Sequence, residues 1–159
     1  MKQLGRINWV ILAGLGAVLA VALVLFSSNS SDSPTGAASR FLDALARQDA
    51  KTLVETSFID GMDDAQALKA WEETLALTKH YYFFWVIRGN LTPDPNNASV
   101  RIGMTRNATD PSGFEENYQV DLVKRDGRWK VRVSGLSRTF YPFLPRPEGV
   151  RLSQAPAQP

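Results

Sequence analysis

Residues 117–133, NYQVDLVKRDGRWKVRV, read as two strands joined by a tight turn, and the rest of the fold is read outward from them. Asp126-Gly127 is the signal for a two-residue hairpin, because both central positions of such a turn need positive φ. Centring the turn there pairs Leu122 with Val131 and Val120 with Val133 on one face, and Asp121 with Arg132 on the other. The first two pairs are apolar and the third is oppositely charged, which supports this register. Trp129 falls on the apolar face and is expected in the core.

The same period of two governs two earlier segments. Ser99 to Thr105 places Val100, Ile102 and Met104 on one side and Arg101 and Thr105 on the other. Tyr81 to Arg88, YYFFWVIR, is apolar on both faces. Leu91 to Asn97 and Asn107 to Gly113 are loop chemistry, rich in Pro, Asn and Gly. One face of YYFFWVIR must pack under helices, and the other needs a different cover, either a partner or second copy, or a fold-back of the second helix or of Phe140 to Leu144. Arg88 shares a face with Tyr82, Phe84 and Val86, and a charge is more cheaply left in water than buried under a helix. Tyr82, Phe84 and Val86 are therefore assigned to the outer, partner-binding side, and Phe83 to the inner one.

Upstream of Tyr81 the period is 3.6. Thr35 to Arg47 is predicted helical, with Ala38, Phe41, Leu42 and Leu45 on one face and Arg40, Asp43 and Arg47 on the other, Asp43 and Arg47 forming an i,i+4 pair. Asp49 caps a short helical segment, AKTLVETSF, and a third helix starts at Asp63 or Asp64 with Leu68, Trp71, Leu75 and Thr78 as its stripe. His80 closes it and is the one candidate acid/base residue of its type.

A leading helix reading AASRFLDALARQDAKTL, further helices, and a sheet whose last strand follows DGRWKVRV resemble the nuclear-transport-factor-two-like (cystatin-like α+β) superfamily over Ala37 to Leu136. The resemblance implies an α+β fold in which helices pack into the concave face of a curved antiparallel sheet, making a cone. It implies no single function, since this superfold hosts isomerases, cyclases, dehydratases and non-enzymatic modules. Enzymatic members such as ketosteroid isomerase hold a carboxylate base and hydrogen-bond donors inside the cone. No such constellation is matched here: Asp121 faces outward, Asp43 is solvated, and the inward faces read Val, Ile, Leu, Met and Trp. The chain is accordingly read as non-catalytic.

Ahead of this domain, Trp9 to Phe26 (WVILAGLGAVLAVALVLF) carries no charge. Eighteen helical residues span about 27 Å, close to the hydrocarbon core of a bilayer. Eleven are Val, Ile, Leu or Phe, whose summed insertion free energy is about −3 to −7 kcal/mol. The run is longer than the apolar core of a signal peptide and ends without a small-x-small cleavage site, so it is read as an uncleaved transmembrane helix. Lys2 and Arg6 place the N-terminus in the cytoplasm. Ala13, Gly16, Ala17 and Ala20 form one small-residue stripe suited to helix packing in the membrane. The expected organisation is a cytoplasmic stub at 1–8, the transmembrane helix at 9–26, a linker at 27–36, a periplasmic or otherwise extracytoplasmic domain at 37–145 and a tail at 146–159. This arrangement is similar in architecture to the inner-membrane scaffold component of type IV secretion systems and to other membrane-tethered assembly proteins.

Composition removes several functions. The chain has no cysteine, which excludes disulfides, thiolate metal sites and a lipoprotein anchor, and its single histidine excludes a multi-histidine metal site. No metal or cofactor is expected. Two of the 18 Lys and Arg, Lys2 and Arg6, precede the anchor, so 16 face 16 Asp and Glu beyond it. That balance argues against nucleic acid as a partner. Sequons occur at Asn29, Asn90, Asn97 and Asn107. The expected partners are the bilayer and other membrane-complex subunits or a second copy. The alternative is a small apolar ligand or an isomerase- or cyclase-like reaction inside the cone, with Trp71, His80 and Tyr81 or Tyr82 as polar handles.

Overall fold

The computed structural model describes residues 33–106 and 114–146; the segment expected to span a membrane, with Ala13, Gly16, Ala17 and Ala20, lies outside them. Among the described residues no helix is long and apolar enough to cross a membrane. Helices α1 (Pro34–Arg47), α2 (Ala50–Thr56) and α3 (Asp64–Leu77) accompany strands β1 (Ser57–Phe58), β2 (Phe84–Asp94), β3 (Asn97–Thr105), β4 (Glu116–Arg125) and β5 (Arg128–Arg132).

Local chemistry explains each helix boundary. Ser33 Oγ accepts from Gly36 N at 3.0 Å, and Pro34 opens α1 where its missing N–H is harmless. Asp49 caps α2 through Thr52 N at 3.1 Å. Asp63 and Gln66 form a reciprocal capping box at the start of α3. Between α1 and α2, Gln48 takes a left-handed conformation, φ 58°, and its side-chain amide donates to the carbonyls of Thr78 (3.3 Å) and Lys79 (3.1 Å). One strained residue thus ends α1 and satisfies carbonyls at the end of α3.

The sheet runs β1-β5-β4-β3-β2. It is mixed, not wholly antiparallel as expected, because β1 joins β5 in parallel through Ser57–Val131 and Phe58–Arg132. Ser57-Phe58 was expected to continue the helix before it; Ser57 is instead extended and adds a short edge to the sheet. The hairpin register is as predicted at Leu122–Val131, with Asp126 (φ 50°) and Gly127 (φ 76°) in the turn. Val133 leaves the ladder for a single 3₁₀ turn, so the expected Val120–Val133 pair is not part of it.

Strand β2 also differs from its expected bounds. Tyr81 to Phe83 precede it, and it continues through Leu91-Thr92-Pro93 to Asp94 instead of ending at Arg88. Irregularities at Ile87/Gly89 and Leu91/Asp94 let it bend along β3. Pro93 is tolerated because, among the described residues, β2 is an edge strand with no neighbour on its far side.

The core lies between the helices and one face of the sheet. Phe41, Leu42 and Leu45 of α1 and Trp71 of α3 meet Val100, Ile102 and Met104 of β3, with Val120 and Val131 beside them. Trp71 packs edge-on to Phe41, ring centroids 5.9 Å apart, and donates its indole N–H to Ser57 Oγ at 3.0 Å. After β5 the chain returns across the same inner side, where Phe140 and Tyr141 are buried. The two expected surface ion pairs do not form. Arg40 reaches Glu55 at 4.0 Å while Asp43 stays exposed without an ion pair to Arg47, and no ion pair joins Asp121 to Arg132.

Candidate functional site

The outer face of β2 carries open apolar side chains. Phe84 pairs with Thr105 and Val86 with Gly103, so both point away from the helices. Tyr82, Phe84 and Val86 are 69%, 65% and 41% exposed, whereas Phe83 is buried against Phe140 and Tyr141. The faces therefore fall as predicted from parity together with the placing of Arg88 in water. Phe140 and Tyr141 do fold back, but over the inner face; among the described residues they do not cover this one.

Beside the apolar row lies a charged clamp. Arg88 Nε donates to Glu115 Oε1 at 2.9 Å and its terminal nitrogen to Oε2, so the carboxylate is held bidentately across Gly103, whose missing Cβ provides the space. The guanidinium hydrogen bonds hold the Glu115 carboxyl below its ordinary range and raise Arg88 in turn. Arg88 is exposed and Glu115 half-buried, so this pair orders the face more than it stabilises the fold.

The inner side at the far end of the sheet is closed by residues that sequence reasoning did not single out. Arg106 Nε donates to Tyr81 Oη at 2.6 Å, and its other nitrogens reach Glu116, Tyr118 and the Thr139 carbonyl. Tyr118 in turn donates to Glu116, and Tyr81 to the Phe140 carbonyl at 3.2 Å. Burial pushes the Tyr81 hydroxyl above its ordinary pKa against the opposing effect of Arg106. Both oxygens of the Glu116 carboxylate are thus engaged, one by Arg106 and the other by Tyr118. The signal for it was the alternation Glu116, Tyr118, Val120 on the inward parity of β4, legible only once that parity is known.

Trp71, His80 and Tyr81 are not brought together. Trp71 is fully buried with its N–H bonded to Ser57. His80 is exposed in the turn after α3 and lines an open cleft of about 400 Å³ with Leu77, Tyr81 and Phe143. Tyr81 is tied to Arg106 and Phe140. The inner volume is taken by Phe41, Trp71, Ile102, Met104 and Val131, each fully buried.

No family model matches the chain, and no curated protein does. In fold it is similar to a ketosteroid isomerase-like protein from Erwinia carotovora atroseptica (19% identity, 62% of this chain and 88% of that one, TM-score 0.44). It is also similar to an NTF-2 like protein of unknown function from Shewanella oneidensis (16% identity, 62% and 94% covered, TM-score 0.42). A third similar structure is a domain of unknown function with a cystatin-like fold from Nostoc punctiforme (10% identity, 60% and 68% covered, TM-score 0.42).

Proposed function

We propose that this chain is a non-catalytic, membrane-anchored accessory or assembly subunit whose extracytoplasmic domain binds another subunit of a larger membrane complex through the outer face of β2. The observation that carries this reading is the open pair Phe84 and Val86 on an edge strand, with the exposed Tyr82 just ahead of it. Aromatic side chains left in water on a regular strand are the usual centre of a protein interface, where burial removes them from solvent. Residues 9–26 supply the anchor in this reading, and the residues after them lie outside the cytoplasm. The filled inner side and the saturated Arg106 network support a binding role over catalysis or ligand capture.

The test is recovery of stoichiometric partners with the intact chain from mild detergent, comparing wild type with Phe84→Asp. Loss of a defined subunit from the variant is the expected result. If light scattering instead shows a self-associated chain that Phe84→Asp converts to monomer, the occupant is a second copy. A reporter fused after Pro159 that is active only in the cytoplasm would refute the orientation.

A further inference from the structure

We infer that the outer face of the β4–β5 hairpin docks on an anionic lipid surface, the bilayer in which the chain is anchored; this rests on the anchored reading above. The net neutrality of the residues beyond the anchor hides a segregation of charge. Arg125 and Arg128 are direct cross-strand partners, and Lys130, opposite Val123, continues the same face. Arg132, paired with Phe58 of β1, extends it to the edge of the sheet. Like charges placed directly opposite one another destabilise a strand pair.

Among the described residues none of these four cations forms an ion pair; the ion pairs use Arg40, Arg88 and Arg106. Asp121, the carboxylate expected to neutralise Arg132, instead accepts from Ser99 Oγ (2.6 Å) and Gln119 Nε2 (2.9 Å). Arg132 Nε is left buried without a partner. Arg125 is not free to swing away, since its guanidinium carbon sits 4.6 Å from the centre of the Phe58 ring. The strip is thus a row of cations without carboxylate partners, the complement of a plane of phosphates.

The bilayer is the occupant favoured by the length of the tether. Residues 27–33 separate the apolar span from Pro34, where α1 begins. Fully extended, they and the first helical residue reach at most ~28 Å. The domain is therefore confined to the membrane surface at high effective concentration. Each cation held near an anionic surface then multiplies the docked-to-undocked ratio about fivefold.

The chain has no cysteine of its own, so Asn96→Cys gives a single labelling site. Asn96 lies at the exposed β2–β3 turn, and its carbonyl accepts from Lys124 N at 2.8 Å, beside the basic hairpin. The full chain is labelled there and reconstituted into nanodiscs of phosphatidylcholine, or of phosphatidylcholine and phosphatidylglycerol at three to one, with a quencher on the lipid headgroups. Retention by both kinds of disc reports the anchor, and the difference in quenching reports docking. Quenching should be stronger in the anionic discs, and raised salt or Arg128→Glu with Lys130→Glu should abolish the difference. Equal quenching in the two compositions, or a difference that survives the double reversal in a folded chain, overturns the proposal. Equal quenching together with loss of a co-purifying acidic protein from the reversed variant would assign the strip to a protein and also overturn it. If neither disc retains the chain, the anchor is refuted; co-sedimentation with vesicles of the same two compositions then decides the strip, equal sedimentation counting against it.

Discussion

Phe83 and Phe84 are adjacent in the chain and face opposite sides of the sheet, 7% and 65% exposed. Extended backbone turns successive side chains to opposite faces, so one peptide unit separates a core position from an open one. The ring of Phe83 lies 6.1 Å from that of Tyr141 and 6.3 Å from that of Phe140, while Phe84 stands on the outer face of the edge strand.

That division predicts opposite outcomes for the same substitution. Phe84→Asp should change the stability of the full chain by no more than about 0.5 kcal/mol, the range of ordinary surface changes, yet release its partner. Phe83→Asp should unfold the domain, since it buries an unpaired charge. Thermal melting and partner recovery would be measured on both. A stable Phe83→Asp chain with an unfolded Phe84→Asp chain would invert the faces.

The hairpin offers a second check. Trp129 is buried, and the Lys124 ammonium stands 5.7 Å from the centre of its ring. Trp129→Ala should cost about 3–5 kcal/mol in urea unfolding. A shift below about 0.5 kcal/mol would place that indole at the surface.

Trp71 and Ser57 provide the third. Ser57→Ala leaves the indole N–H of Trp71 buried without its acceptor and also removes the Ser57 bond to the Leu53 carbonyl (2.6 Å). A loss of about 1–3 kcal/mol is expected. Ser134→Ala, which removes an exposed bond to Asp60, should stay within about 0.5 kcal/mol. Equal effects at the two serines would contradict a structural role for the Trp71–Ser57 bond.

The pH dependence follows from three carboxylates held below their ordinary pKa. Asp49 is lowered by the Thr52 side chain, Asp94 by Asn97 and Glu115 by Arg88. A group lowered on folding contributes stability above its unfolded pKa and loses it as pH falls through the folded one. Stability should therefore decline on acidification below the ordinary carboxylate range, and Glu115→Gln should make that decline shallower. Tyr81 and Tyr141, raised chiefly by burial, act in the other direction: their contribution is present below the ordinary tyrosine value of 10.0 and is lost as pH rises through their folded values. Urea midpoints across both limbs test the two signs, and an unchanged acid limb in Glu115→Gln would contradict the role given to the Arg88 clamp.

Features set by neighbours in the chain were legible before any tertiary contact was known. The Asp126-Gly127 turn establishes the Leu122–Val131 register because two left-handed residues close a hairpin by themselves. The inward stripe of α1 and the start of α3 at Asp63 or Asp64 follow from helical spacing and terminus chemistry, and the opposed faces of Phe83 and Phe84 from strand parity. Other features exist only because a distant segment is present. Ser57-Phe58 becomes a strand because β5 offers free hydrogen-bonding groups alongside it, and no local preference signals a parallel pair. β2 runs on through a proline because the sheet ends there and no neighbour needs that donor. Asp121 leaves Arg132 unpaired because β3 brings Ser99 within 2.6 Å of its carboxylate. Turn chemistry and periodicity act over a few residues and are written in the local sequence. The choice of partner for an open edge, a free carboxylate or an unburied ring depends on groups tens of residues away, and the packed structure makes that choice.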